Sequence, residues 1–289
     1  MRQIPPSELI INDDGSIFHL HVKPEQLADR IILCGDPERV SMIAGYFDAK
    51  ECDVSNREFH TITGAYKGKR LTVVSHGIGC DNIDIVINEL DALANIDFKT
   101  RTIRPVIKRL TMVRIGTSGG LQPFTPIGSY VAAEKSIGFD GVLYFYKDSE
   151  KIRDIAIEEE LLRQLEWNIT GIRPYVVTAD PSLTEQIAGE DIIRGMTIAA
   201  NGFYGPQGRE LRLPLANAEL NKKIESFHYQ NRCITNFEME SSALAGLAAL
   251  MGHRALTVCC IIAGRVDKNM NTNYQNALPL LIENILERI

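Results

Sequence analysis

The chain has 289 residues, of which 45% are hydrophobic and 24% charged, the ordinary balance of a globular protein with a large buried core. A formal net charge of −6 with a pI near 5.6 excludes a general nucleic-acid binder, which carries a basic excess. It does not exclude a local group of arginines around a small anion.

Residues 1–16 read as a loose N-terminal arm, and 17–289 as one domain. The opening MRQIPPSELIINDDGS has no basic stretch followed by an apolar one, so no signal peptide is expected. No apolar run approaches the roughly 18 residues of a membrane span. Continuously apolar segments then recur, each ending in glycine: Arg30–Gly35, Leu71–Gly79, Leu110–Gly116 and Ala255–Gly264. Strands of this kind are covered on both faces, as in α/β sheets. Between them lie helical patterns. Ile83, Val86, Ile87 and Leu90 keep helical spacing within 82–96, as do Leu244, Leu247, Ala248 and Met251 within 240–252; 275–289 closes the chain as an amphipathic helix. Weaker strands fall at 128–134, 173–179 and 195–200. The basic segment Lys99–Arg109 reads as a solvated face, with an interface element as the other reading. The alternation predicts an α/β fold.

In such folds ligands gather beyond the carboxyl ends of strands. Gly116-Thr-Ser-Gly-Gly120 follows an apolar run, and its backbone N–H groups with the Thr117 and Ser118 hydroxyls suit an anion; an ordinary glycine turn fits the same residues. Gly77-Ile-Gly79 lacks the third glycine of a dinucleotide fingerprint and reads as a tight turn. Arg114 sits inside an apolar strand, where a guanidinium is costly unless paired. With Arg39 and Arg57 it forms a set of planar forks suited to phosphate, though any one of them alone reads as a salt bridge. Glu238 and Glu240 flank Met239 before an apolar helix. They suit either two sugar hydroxyls or helix capping. Gln207 and Arg209 offer one acceptor and several donors, a match for the edge of uracil, with Phe203 placed to stack on the base; a plain glycine-rich loop fits too. His60 and His76 read as structural residues, and no histidine pair has metal-ligand spacing. Cys34, Cys52, Cys80, Cys233, Cys259 and Cys260 show no disulfide-framework or CxxC spacing, which fits a reducing cytoplasm.

Taken in order, His19, Gly35-Asp-Pro-Glu-Arg39, Arg57-Glu-Phe59, Gly77-Ile-Gly79, Arg114-Ile-Gly-Thr-Ser-Gly-Gly120, Phe203-Tyr…Gln207-Gly-Arg209, Phe237-Glu-Met-Glu-Ser241 and Arg265 resemble the nucleoside phosphorylase family, and within it the uridine-cleaving members. The resemblance runs from about residue 18 to 289. It implies a single α/β domain with a central twisted mixed β-sheet flanked by helices, and phosphorolysis of uridine, with deoxyuridine and thymidine open, to free base and α-ribose 1-phosphate. Carried over by position, Gly35, Arg39, Arg57, Arg114 and Thr117 would hold phosphate. Met239, Glu240 and Glu238 would bind ribose. Phe203, Gln207, Arg209 and Arg265 would bind the base, and Arg209, Gln207 and Arg114 would carry catalysis. His19 would reach the ribose of a neighbouring subunit, so a homo-oligomer is expected, a dimer or a hexamer of dimers. Inorganic phosphate is the co-substrate, and no cofactor is expected. Some bacterial relatives hold a potassium ion near positions equivalent to Glu58, Ile78 and Asn82; Asn82 replaces a serine, so no metal is assigned. Two further departures are Cys34, where proline is usual, and 98–110, which reads as an insertion. Purine-cleaving relatives carry Ser-Asp after the last core strand; Ala263-Gly-Arg-Val266 stands here, which favours a pyrimidine. A purine nucleoside phosphorylase, a nucleoside hydrolase and a non-catalytic nucleoside-binding protein are the alternatives.

Overall fold

The computed structural model describes residues 2–264, 269–270 and 274–289; Arg265 lies outside the described residues. In chain order the elements are β1 (Arg30–Cys34), α1 (Pro37–Ala44), β2 (Ala49–Asn56), β3 (Phe59–Tyr66), β4 (Lys69–Ser75), α2 (Cys80–Asn95), β5 (Ile96–Asp97), β6 (Thr102–Ile103), β7 (Thr111–Gly120) and β8 (Tyr130–Gly138). Then follow α3 (Ile155–Gln164), β9 (Tyr175–Thr178), α4 (Pro181–Ile187), β10 (Ile193–Ala199), α5 (Leu220–Ser226), β11 (His228–Tyr229), β12 (Arg232–Glu238), α6 (Ser241–Met251), β13 (Arg254–Gly264), β14 (Asn269–Met270) and α7 (Leu278–Arg288). The expected strands and helices are all present, displaced by a few residues at their ends.

The main sheet runs β11-β12-β10-β8-β13-β7-β1-β4-β3-β2 and mixes parallel with antiparallel pairs. Parallel β13–β7–β1–β4 forms its centre. β12 pairs with β10 on one side and, through Phe237 and Asn236, with Gly119 and Gly120 of β7 on the other. The strands β12, β10, β8, β13 and β7 therefore close into a ring. The two-residue period of β1 explains why its residues 31–34 are all apolar. Ile31 and Leu33 pack toward α2 and α6, while Ile32 and Cys34 pack toward α1, α4 and α7. No helix among the described residues is long and apolar enough to cross a membrane.

Two local readings of the sequence differ from the structure. The stretch Gly116–Gly120 is not a turn after a strand but the second half of β7 itself. Its glycines serve close packing: a Cβ on Gly116 would lie 2.6 Å from Nη1 of Arg114 and 2.9 Å from Sγ of Cys259. The N-terminal arm is docked rather than loose. Leu9 is buried, the Ile4 amide donates to the Arg101 carbonyl, and the Arg101 guanidinium donates to the carbonyls of Ile4, Pro5 and Leu9. One arginine of the basic 99–109 segment is thus used internally. Ile103, Val106 and Ile107 in the same segment are exposed.

Candidate active site

A cavity of about 1160 Å³ opens beyond the carboxyl ends of β1, β4, β7, β12 and β13, where an open α/β sheet places its ligands. It is lined by Gly35, Arg39, Arg114, Thr117, Phe203, Gln207, Arg209, Glu238, Met239 and Glu240. Ten residues chosen from sequence thus meet in one space, although Gly35 and Glu240 lie two hundred residues apart in the chain.

The floor is an ionic cluster around Arg114. Its Nε donates to Nε2 of His76 at 3.0 Å and its Nη1 to Oε2 of Glu238 at 2.9 Å. Its Nη2 donates to Oε2 of Glu240. The side chains of all three charged residues are nearly inaccessible. Burial alone would lower the pKa of Arg114, but Glu240 and then Glu238 reverse this and hold the guanidinium charged. Burial raises the pKa of Glu240; Arg114 opposes that rise and Glu238 adds to it. Burial, then Arg114 and Arg39, push His76 well below the ordinary imidazole value, so it is neutral and accepts from Arg114. His76 is therefore structural, as its sequence context suggested, and its structural role lies within the site.

The two glutamates divide the work that sequence left open between capping and binding. Glu238 accepts from the amides of Glu240 and Ser241 and from the Ser241 hydroxyl, so it caps the N-terminus of α6. Glu240 points the other way and accepts from the Gly79 amide at 2.7 Å. Gly77 and Gly79 both hold positive φ, +73° and +97°, a conformation that favours glycine. The Gly-Ile-Gly turn thereby delivers a backbone donor to Glu240.

Arg39 differs from Arg114. Asp36 caps α1 by accepting from the Glu38 amide, Pro37 occupies the first helical position, and Arg39 turns inward. It is 7% exposed. Its Nη1 donates to the Ile115 carbonyl at 3.2 Å, its Nε has no partner, and no carboxylate among the described residues pairs with it. A buried guanidinium without a counter-charge calls for an anionic ligand.

Elsewhere in the cavity lining, Arg209 donates to Oε1 of Gln207 at 2.5 Å and to the Phe203 carbonyl at 2.6 Å. Its guanidinium carbon lies 3.8 Å from the Phe203 ring centroid, a cation–π stack. One face of Phe203 thus belongs to Arg209, so a base can stack only on the other. Gln207 is buried, and its oxygen accepts from Arg209.

His19 and Arg57 do not line this cavity. They share a surface instead: Arg57 lies over Phe18, Asn56 donates to the His19 carbonyl, and His19 packs edge-on against Phe18 and Phe59. The cavity also includes Asp36, Ile78, Phe237 and Met270, with Asn221 and Glu225 from α5. Ile78 and Phe237 stand inside the quoted motifs. Asn221 and Glu225 belong to no motif in the sequence.

The sequence profile of the Phosphorylase superfamily matches residues 29–286. The chain belongs to this superfamily. The crystal structure of a Trypanosoma brucei nucleoside phosphorylase that shows uridine phosphorylase activity superposes with a TM-score of 0.87 at 30% identity and covers 97% of this chain and 98% of its own. The uridine phosphorylase of Thermococcus kodakarensis is 29% identical over 262 residues, 88% of this chain and 79% of that protein. The Escherichia coli uridine phosphorylase is 27% identical over 284 residues, covering 93% and 96%. The superfamily fold agrees with the single α/β domain described above.

Proposed function

We propose that this member of the superfamily cleaves uridine with inorganic phosphate to uracil and α-ribose 1-phosphate, as an enzyme of pyrimidine nucleoside salvage. The observation that carries the reading is two groups lining one cavity: Arg39, buried with no carboxylate partner among the described residues, and the Gln207–Arg209 pair. Arg39, with the Gly35 amide and the Thr117 hydroxyl, would take phosphate, and Arg114 would order Glu238 and Glu240 against the ribose while offering its remaining N–H. Met239 would lie under the sugar. Gln207 and Arg209 would read the uracil edge.

In the reaction a phosphate oxygen bonds to C1′ on the face opposite the base while the C1′–N1 bond breaks and its electrons pass to the base. The sugar gains positive charge near the phosphate, and the base gains negative charge near Arg209. Donors aimed at developing charge contribute about 3–4 kcal/mol each in favourable sites. No protein nucleophile is required, and burial pushes the Cys34 and Cys259 thiols up to about 12. Phosphate is the co-substrate, and no cofactor or metal is assigned.

The active form is a homo-oligomer. Arg57 and His19, absent from the cavity of their own chain and adjacent on its surface, would complete the phosphate and ribose sites of a neighbour. The setting is cytoplasmic, in keeping with six free cysteines. The test is to incubate the protein with uridine, deoxyuridine, thymidine and inosine, with and without phosphate, and follow base release. Phosphate-dependent uracil release is the expected result. Release without phosphate would mean a hydrolase, release from inosine alone a purine enzyme, and no release a binding protein.

A further inference from the structure

We propose that Glu89 is a positioning residue that fixes the orientation and tautomer of His19; this rests on the reading that His19 meets the ribose 5′-hydroxyl of a neighbouring subunit. Glu89 lies on α2, and its side chain is 12% exposed. Its carboxylate accepts from the amide of His19 at 3.0 Å, from the amide of Leu20 at 2.9 Å and from Nδ1 of the His19 ring at 2.6 Å. The two amides fix the backbone under the ring. The third contact does more than hold a loop. A carboxylate only accepts, so the ring nitrogen facing it carries the proton. Nε2 is then the acceptor, on the ring edge away from Glu89. The Asn56 amide on the His19 carbonyl and the edge-on rings of Phe18 and Phe59 remove the remaining freedom. The imidazole is thus presented as an acceptor, matched to a hydroxyl that donates.

The substitution Glu89→Gln keeps the size and one acceptor oxygen. With that oxygen on the two amides, the new NH₂ faces Nδ1, which selects the Nε2–H tautomer and makes the outer nitrogen a donor. Glu89→Ala removes the constraint altogether. The readout is the ratio of kcat/KM for uridine to that for 5′-deoxyuridine, which lacks the recognised hydroxyl. The ratio should fall about tenfold, the equivalent of about 1.4 kcal/mol, in Glu89→Ala, Glu89→Gln and His19→Ala alike, and the Glu89→Ala/His19→Ala double variant should be no worse. A fall in His19→Ala with no fall in either Glu89 variant would overturn the proposal and leave the His19 reading standing. No fall in His19→Ala would overturn the His19 reading. Equal losses on both substrates in the Glu89 variants would mean a merely structural role and would also overturn the proposal. ¹⁵N spectra of labelled histidine report the tautomer independently of activity: Nδ1–H is expected for His19 in the parent protein and Nε2–H in Glu89→Gln. Nε2–H in the parent protein would refute it.

Discussion

Arg39 offers the sharpest test, because a ligand-binding residue held at a cost to the fold should stabilise the protein when it is removed. Arg39 is 7% exposed, and its Nε has no partner. An unmet buried donor costs about 1–3 kcal/mol. Arg39→Met keeps the length and drops the charge. It also loses the bond to the Ile115 carbonyl, about 0.5–1.5 kcal/mol, so the net gain is on the order of 1 kcal/mol. At about 2–4 °C per kcal/mol for a domain approaching this size, Tm in phosphate-free buffer should rise by about 2–4 °C. Phosphate at a hundred times its Kd stabilises the parent protein by about 2.7 kcal/mol through mass action, and the variant should lose most of that shift. In steady-state assays the KM for phosphate should rise about 10- to 150-fold, the equivalent of losing a hydrogen bond to a charged group worth about 1.5–3 kcal/mol. Thermal scans with and without phosphate, run beside uridine kinetics, measure all three. A variant less stable than its parent and equally protected by phosphate would refute the assignment of Arg39 to an anion.

Arg209→Ala should lower kcat/KM for uridine by about a hundredfold with little change in the KM for phosphate; steady-state kinetics on both substrates decide it, and full retention of uridine cleavage would sink the base-reading role. His76 is held well below its ordinary value of 6.5 by burial, Arg114 and Arg39. The unfolded imidazole therefore takes up a proton that the folded one refuses, so its contribution to stability is complete above pH 6.5 and declines as the pH falls below it. Denaturant unfolding from pH 8 to 5.5 should show that decline, flattened in His76→Gln; an unchanged slope in the variant would contradict it. Four of the six thiols are buried, so a thiol reagent should label the native protein at Cys52 and Cys233 only, as counted by mass spectrometry.

The sheet and its flanking helices were legible because burial on both faces writes an unbroken apolar run, and helix burial writes a 3.6-residue period. The 116–120 glycines misled for a physical reason: in isolation glycine signals a turn, while here it clears space in a strand for the folded-back Arg114 and for Cys259. A segment of mixed polarity such as the arm carries no sign of the partner that docks it, and Arg101 is about ninety residues away. The cavity was largely legible because its polar residues interrupt apolar strands or follow them directly. What sequence could not show was partnership. Arg39 and Arg114 read alike as forks suited to phosphate, yet one is held by Glu238, Glu240 and His76 and the other has no carboxylate partner among the described residues. Glu238 and Glu240 read alike as acids at a helix start, yet one caps the helix and the other faces the Gly79 amide.

The position of Arg57 leads to one more test. Arg57 adopts φ +55°, a left-handed conformation that costs a non-glycine residue on the order of 1 kcal/mol, and it lies outside the cavity of its own chain. Strain of this kind persists where the surroundings fix it, and here Asn56 ties the hairpin tip to the His19 carbonyl. If the strained arginine serves a neighbouring cavity, Arg57→Ala and Arg39→Met are defects of opposite halves of one site. A pair of chains carrying one defect each then contains one intact site, made of the Arg39 cavity of the first chain and Arg57 of the second, and one doubly defective site. Random mixing after dissociation makes half of the symmetric pairs mixed, and half of their sites intact, so activity should return to about one quarter of the parent level. If Arg57 acted within its own chain, every site in the mixture would carry a defect and activity would stay at that of the separate variants. Recovery that appears only after subunit exchange separates this from residual activity of either parent.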